Sequence, residues 1–193
     1  MYFVATSRIT GLEQNVVIAL LVAIIALFNG SDLAGWTPSG EGLWTVDGGV
    51  ITASGSGQGF LVSEAQYGSF GLELEFWVDH STNSGVFIRC ADTARIHPDS
   101  CYELNIWDDH PRPEARTGAI VFKAMPPLAE VHTVGRWNTL AVLAQGAVIE
   151  VRINGTLTAR LEDADPAPGF LALQHWEHGT VKFRNITLKY LEN

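Results

Sequence analysis

The alternation of apolar and polar side chains constrains the fold of this chain more than any other feature. In the segment 71–78, every second residue from Leu72 to Val78 is apolar, and Glu73 and Glu75 lie between them. A period of two over this length is typical of a β-strand with one face in a core. Asn-Gly and Asp-Gly pairs separate other short runs of the same kind and favour tight hairpins. The pattern predicts roughly twelve strands and no helix after residue 28.

These strands predict one all-β domain. A length of 193 residues suits a single domain with a substantial core. The 19 Gly and 8 Pro fit a chain with many turns. We therefore predict a two-sheet antiparallel β-sandwich over residues 27–193. The net charge of −9 argues against a nucleic-acid partner, because binding to the phosphate backbone needs a basic surface.

We interpret residues 1–26 as a signal-like or anchor leader ahead of this domain. Val16–Phe28 is apolar throughout, but thirteen residues are fewer than the ~20 that a membrane helix needs. That length suits the apolar region of a signal peptide, although no clean Ala-x-Ala site follows Ala23 or Ala26. Export to the periplasm or outside the cell, with cleavage near Ala26, is one interpretation. An uncleaved membrane anchor, a mis-set start codon and a buried helix or first strand are the others.

The segment 83–121 contains the densest set of ionisable side chains. Two strand-like runs in it carry Cys90 and Cys101, which are eleven positions apart. A disulfide between them is our first prediction if the protein is exported, and it would stabilise the fold by roughly 2–4 kcal/mol. Two buried free thiols are the alternative, since cysteine is often a small buried apolar residue.

Period-two alternation also assigns the polar residues of these two strands to one face. Glu103, Asn105 and Trp107 share the face opposite Leu104, and Arg89 has the corresponding parity one strand earlier. We therefore expect them together on the outer face of one sheet. A surface with a cation, a carboxylate, an amide and an aromatic ring is suited to binding a sugar.

Polar residues at two strand ends are further candidates. Asp108 and His110 end one strand and could form a proton relay or hold a divalent cation, although they also fit an ordinary turn. His175 and His178 follow Gln174, and imidazole is the side chain that titrates near neutral pH without assistance. No CxxC or HExxH pattern is present, so a metal requirement stays open.

Four motifs resemble the 3-keto-disaccharide hydrolase family, in the order in which that family has them. They are Phe28–Trp36 (FNGSDLAGW), the Asn-Ser-Gly of 83–85, Tyr102–Asp108 (YELNIWD) and Leu173–Ile186, which ends in Phe-Arg-Asn-Ile. The resemblance covers about residues 27–190. In the last motif three residues separate the glutamine from His-Gly, where the family has one. Either His175 or His178 could therefore be the family histidine.

The resemblance implies a concanavalin-like jelly roll with a concave sheet that holds a sugar. It also implies cleavage of glycosides whose glucose unit carries a ketone at C3. That ketone acidifies the hydrogen on C2, so a base can remove it, the group on C1 leaves by elimination, and water adds back. The reaction needs a base, an enolate-stabilising group and an acid, but not the two carboxylates of ordinary glycosidases.

These requirements can be distributed over the candidate residues. Glu103 is the candidate base or sugar ligand, and Arg89 would hold the enolate or orient Glu103. Asp108 and one C-terminal histidine, His175 or His178, complete the candidate catalytic set. The candidate substrate-binding residues are Asn105, Trp107, His110, Gln174 and Trp176, with the two tryptophans as stacking platforms.

A non-catalytic carbohydrate-binding module of lectin or laminin-G type is the alternative function. Such a module would use the same sandwich and the same aromatic platform without turnover. A base with a shifted pKa beside a cation would favour the enzyme, whereas aromatic rings and amides alone would favour the module. A structural partner domain anchored through Val16–Phe28 is a third hypothesis.

Overall fold

The computed structural model of the protein describes residues 23–162 and 164–192, which form thirteen β-strands and one short 3-10 turn. The strands are β1 Ile24–Ala26, β2 Trp36–Gly40, β3 Leu43–Asp47, β4 Val50–Ser54, β5 Gly59–Tyr67, β6 Phe70–Val78, β7 Asn83–Cys90, β8 Tyr102–Ile106, β9 Asn138–Gln145, β10 Val148–Ile153, β11 Thr156–Leu161, β12 Gly169–Trp176 and β13 Val181–Tyr190. The 3-10 turn is Pro113–Ala115. The described residues contain no α-helix, and the predicted all-β class is confirmed.

The strands form two antiparallel sheets. One has the order β11-β10-β9-β6-β13-β4-β3, with β1 also pairing β13. The other has five strands in the order β2-β5-β12-β7-β8. Neighbours in each sheet come from distant parts of the chain, as expected for a sandwich with jelly-roll connections. The predicted two-sheet antiparallel β-sandwich is confirmed.

The core lies between the two sheets and follows the period of two. In β6 every second residue from Phe70 to Val78 is apolar and buried, and Glu73 between them is exposed. Leu104 of β8 and Leu173 of β12 face them from the five-stranded sheet within the same cluster. Each fully buried side chain of this size contributes roughly 1.5–3 kcal/mol to folding.

The first described strand pairs with the sandwich. Ile25 and Ala26 of β1 lie opposite Leu188 and Thr187 of β13, and the amide of Leu27 donates to the carbonyl of Ile186. The division into a leader over 1–26 and a domain from residue 27 stays a prediction. The rest of the predicted leader lies outside the described residues. None of the described residues forms a helix that is long and apolar enough to cross a bilayer.

A small second apolar cluster lies on the outer face of the five-stranded sheet. Phe87 of β7 and Ala172 of β12 pack there with Ile96 and with the two cysteines. Cys90 and Cys101 are joined by a disulfide, with their Cα atoms 4.5 Å apart, so the disulfide prediction is confirmed. The bond closes the loop of residues 91–100 over this face.

Candidate functional site

The floor of the site consists of paired positions on the outer face of three neighbouring strands, β12, β7 and β8. Gln174, Gly85 and Asn105 lie side by side in register across the three strands. In the next row, Phe87 lies between Ala172 and Glu103. Successive residues of a strand point to opposite faces, so all of these positions share the face turned away from the core.

Loops surround this floor and turn it into a cavity of about 180 Å³. Ile96, His97 and Pro98 of the disulfide-closed loop line it, as do Val121 and Phe122 beyond β8. Its remaining lining residues come from the sheet and the strand ends: Gln58, Asn83, Phe87, Glu103, Asn105, Trp107, His110, Gln174 and Trp176. Glu103 and all five residues predicted to bind substrate are therefore in one cavity.

Glu103 is a buried carboxylate without a partner. Only 7% of the residue is exposed, and no described residue donates a hydrogen bond to its carboxylate or pairs with its charge. Removal from water disfavours the charged form and raises the pKa of Glu103 to about 7. The strand itself is firmly held, because the amide of Val121 donates to the carbonyl of Glu103 at 3.0 Å.

Two amide side chains lie beside this carboxylate. Gln174 is 3% exposed, and its buried Oε1 accepts no hydrogen bond from any described residue. An unsatisfied buried polar atom costs roughly 1–3 kcal/mol, so a ligand hydroxyl at this position would restore a lost bond. Asn105 is fixed differently, because its Nδ2 donates to the carbonyl of Ala115 in the loop that follows β8.

Gly85 keeps the floor of the cavity open between these groups. A Cβ at this position would lie 3.3 Å from Gln174 Oε1, from Glu103 Oε1 and from the carbonyl oxygen of Leu104. Both functional side chains therefore lean over a position that has no side chain.

Aromatic rings form the rim of the cavity. Trp107 packs edge-on against the ring of His110, with 4.4 Å between the ring centroids. Nδ1 of His110 lies 3.0 Å from both the amide and the carbonyl of Arg112, and burial lowers the pKa of His110. Phe122 is 53% exposed and has a φ of 62°, a conformation that bulky residues rarely adopt. An exposed, strained aromatic ring at a cavity mouth is suited to contact with a ligand.

Arg89 does not lie beside Glu103, so the parity expectation for this residue is wrong. Its φ of 53° and an irregular register with β12 interrupt the alternation of β7. The side chain is buried and bridges loops at one end of the sandwich. Nη1 donates to the carbonyls of Gly146 and Asp165 at 2.9 and 2.8 Å, and Nη2 donates to that of Gly68 at 3.3 Å. This is a structural arrangement, and Arg89 lines a different cavity.

Asp108 also lies outside the cavity that contains Glu103. Its Oδ1 accepts hydrogen bonds from the hydroxyls of Thr117 and Thr133 at 2.6 and 2.8 Å, and its Oδ2 accepts one from the amide of Thr133 at 2.6 Å. The carboxylate holds the loop after β8 against the segment before β9. The expectation that it shares the groove is wrong, because these donors turn it to the other side of the loop.

The structure separates the two C-terminal histidines from the cavity. His175 is fully buried on the core side of β12, opposite in parity to Gln174 and Trp176, and its Nε2 lies 3.2 Å from the carbonyl of Gly179. His178 is exposed in the turn after the strand. Neither lines the cavity, so the expected position of a general acid here is wrong.

A divalent cation has no evident ligand set. Within residues 23–162 and 164–192, no three side chains of the His, Cys, Asp and Glu types converge. Asp108 and His110, predicted as a candidate pair, face different cavities. The described residues therefore show no ligand set of the kind that the sequence left open.

Sequence reasoning missed several lining residues, and His97 is the most important of them. It lies in the disulfide-closed loop with Ile96 and Pro98, where no periodic pattern indicates direction. Its position between the two cysteines was the available signal, because a disulfide there must bring the loop close to β7 and β8. Gln58, Asn83 and Phe122 were also missed; Gln58 and Phe122 lie in loops, and Asn83 is the first residue of β7.

Comparison with known proteins finds a family and a curated relative that match this chain. The family described as "3-keto-alpha-glucoside-1,2-lyase-like domain" matches residues 23–189. A curated 3-keto-disaccharide hydrolase from Bacteroides thetaiotaomicron is 24% identical over 156 residues. That alignment covers 65% of this chain and 54% of the relative, so the chain spans about half the length of the curated protein.

Solved structures have the same fold. A provisionally named glycosyl hydrolase from Parabacteroides distasonis is 27% identical, with a TM-score of 0.75 over 88% of this chain and 100% of that one. The carbohydrate-binding module CBM66 from Bacillus subtilis is 20% identical, with a TM-score of 0.56 over 80% of this chain and 95% of the module. The second similarity concerns the fold alone.

Proposed function

The chain belongs to the family of 3-keto-α-glucoside-1,2-lyase-like domains, and from this premise we propose that it cleaves the glycosidic bond of 3-keto-glucosides. The cleavage would proceed by proton abstraction at C2, elimination at C1 and hydration. The observation that carries the proposal is Glu103, a buried carboxylate without a partner whose pKa is raised to about 7. A base with a pKa near the working pH is both available and strong enough to remove an acidified C–H proton.

The number of carboxylates supports elimination over direct displacement. Glycosidases that act at C1 use two carboxyl groups on opposite sides of the bond. Glu103 is the only carboxylate among the described residues that line this cavity. One base is sufficient when a ketone at C3 supplies the acidity of the C2 hydrogen.

The steps can be assigned with electrons and protons in balance. Glu103 takes the proton from C2, and the electron pair of that bond moves into an enolate on the C3 oxygen. The enolate then re-forms the ketone, a C1=C2 double bond appears, and the bond from C1 to the glycosidic oxygen breaks. Water finally adds its hydroxyl to C1 and a proton to C2, so the net reaction is hydrolysis.

The side-chain amide of Gln174 is the group best placed to stabilise the enolate. No hydrogen bond to a described residue uses its Nε2, and the position of Gly85 between Gln174 and Glu103 carries no side chain. An N–H donor that reaches a developing oxyanion is among the larger contributions to catalysis. Trp107 and Trp176 would stack on the sugar ring from the rim.

The test compares a 3-keto-glucoside such as 3-keto-trehalose with the parent sugar, with and without a chelator. We expect release of free sugar from the keto compound alone, no effect of the chelator, and loss of release in Glu103→Gln. Full activity of this variant would remove Glu103 from the mechanism. Measurable binding without release would favour a carbohydrate-binding module, since binding does not need a buried base.

We also propose that the protein is exported and acts in the periplasm or outside the cell. The Cys90–Cys101 disulfide supports this location, because such bonds persist in oxidising compartments and are rare in the cytosol. Attachment to a membrane through the apolar N-terminal run stays a prediction. Fractionation of cells that express the full chain, with blotting of each fraction, would contradict export if the protein were found in the cytosol.

A further inference from the structure

The disulfide-closed loop brings an imidazole to the cavity. Residues 91–100 run between Cys90 at the end of β7 and Cys101 just before β8. Ile96 is buried in the small cluster with Phe87 and Cys101, so the middle of the loop is held against the sheet. His97 and Pro98, the next two residues, line the cavity.

The loop lies at the end of the cavity that holds Glu103. Phe87, which packs in one cluster with Ile96, lies directly opposite Glu103 in the register of β7 and β8. Trp107 is four residues further along the chain, about 13 Å away at the rise of an extended strand. This register puts the loop on the Glu103 side of the cavity, away from the Trp107 rim, and His97 and Glu103 line that cavity together.

The ring of His97 is held on one edge and free on the other. Its Nδ1 lies 3.2 Å from Oδ2 of Asp99, so a ring protonated on Nδ1 donates to that carboxylate, whereas a ring without that proton accepts the amide N–H of Asp99 at 3.3 Å. No described residue makes a hydrogen bond with its Nε2. Both partners are exposed, so the pair adds little to the stability of the fold. Its main effect is to orient the ring, with Nε2 left for a ligand.

We infer that His97, oriented by Asp99, is the general acid that protonates the leaving group. The inference rests on the proposed function and adds a residue to it. As the bond between C1 and the glycosidic oxygen breaks, the Nε2 proton of the imidazolium passes to that oxygen. The aglycone leaves as a neutral alcohol, and Nδ1–H keeps its contact with Asp99. A proton from solvent then restores the imidazolium.

Geometry favours His97 over His110 for this role. C1 and C2 are bonded neighbours, so the acid and the base must reach two adjacent atoms from one end of the cavity. His110 packs on Trp107 at the other end, and Arg112 occupies its Nδ1. His110 is suited to a hydrogen bond with the sugar, whereas His97 is suited to proton transfer beside Glu103.

The experiment separates the two chemical steps. Methyl 3-keto-glucoside has a poor leaving group, and 4-nitrophenyl 3-keto-glucoside has a good one that departs without protonation. For each substrate we would measure aglycone release, and in D2O the exchange of the C2 hydrogen by NMR. The proteins are the wild type, His97→Gln and the control Arg95→Gln. Arg95 is in the same loop, and its exposed side chain does not line the cavity.

We expect His97→Gln to release methanol about 100-fold more slowly, a typical loss for a general acid, with 4-nitrophenol release and C2 exchange near the wild-type rates. Arg95→Gln should match the wild type throughout. Equal losses for both leaving groups, or a loss of C2 exchange in His97→Gln, would overturn the role of His97 and leave the proposed function intact. A wild type with neither exchange nor cleavage would refute the proposed function and this inference with it.

Discussion

Removal of the Glu103 charge should make the protein more stable at high pH. In Glu103→Gln, an uncharged amide replaces a buried group that has no cation and no hydrogen-bond donor among the described residues. The folded-state pKa of Glu103 is above its ordinary value, so the folded protein binds this proton more tightly than the unfolded chain does. The free energy of unfolding of the wild type therefore falls as pH rises between those two values.

The magnitude follows from the two pKa values. Burial raises the pKa from 4.5 to about 7, and each pH unit corresponds to 1.36 kcal/mol, so the charged form costs roughly 3 kcal/mol. Below about pH 4.5 both states are protonated and the cost is absent. Above about pH 7 the full cost applies. For a domain of this size, 3 kcal/mol corresponds to about 6–12 °C in melting temperature.

The assay is urea denaturation with the disulfide intact, at intervals from pH 4.5 to pH 8.5. The difference in the free energy of unfolding between Glu103→Gln and the wild type should increase by about 3 kcal/mol from the lowest to the highest pH, because only the wild type has an ionisable group at this position. Glu73→Gln is the matched control, since Glu73 is an exposed strand glutamate on the other sheet. Its difference from the wild type should stay constant. A constant difference for Glu103→Gln as well would refute the idea that burial has shifted this carboxylate.

Four further predictions concern single residues or the disulfide. The kcat/KM for a 3-keto-glucoside should rise as pH increases through about 7, as the Glu103 carboxylate forms, and a flat pH–rate profile would contradict the base assignment. Gly85→Ala should lower kcat/KM by about 10- to 100-fold at a nearly unchanged melting temperature, because the new Cβ would displace the side chains of Gln174 and Glu103. Activity equal to that of the wild type would show that the floor of the cavity tolerates a methyl group. Reduction of the Cys90–Cys101 bond should lower the free energy of unfolding by about 2–4 kcal/mol in urea titrations, and unchanged stability would contradict its role in closing the loop. Arg89→Ala should lower the free energy of unfolding by about 3 kcal/mol, because three carbonyls lose their hydrogen-bond donor. The kcat/KM of the folded protein should stay unchanged. A loss of activity without a loss of stability would show that Arg89 acts in the site.

Regular alternation allowed the fold and half of the site to be predicted from the sequence. β8 has no bulge, so the side of Glu103, Asn105 and Trp107 follows from parity alone. The same rule failed at Arg89, because its positive φ and the register shift beside it are properties of the backbone. The alternation of apolar and polar residues does not reveal them. His175 has the same parity as buried Leu173, so alternation along β12 predicts the buried position that it has in the structure.

The rest of the site could not be predicted because loops build it. The direction of His97 depends on how residues 91–100 fold back over the sheet, which the disulfide and the burial of Ile96 determine together. Phe122 itself has a backbone conformation in the left-handed region, and this determines the position of its ring. The N-terminal boundary stays a prediction for a related reason, because an apolar run can equally be a leader or a strand, and the structure shows only that residues 24–26 pair with β13.

The same loops explain why this face is better suited to a base than to a simple sugar-binding groove. A glutamate on the outer face of an open sheet would be solvated, and its carboxylate would keep an ordinary pKa. Here Ile96 packs in one cluster with Phe87, Val121 also lines the cavity, and Glu103 is buried while Gly85 keeps the space next to it free. A binding module gains nothing from a carboxylate that is costly to ionise, because a hydrogen bond to a sugar hydroxyl does not require it. Proton abstraction does require it, since the desolvation that raises the pKa of Glu103 also makes its carboxylate a stronger base.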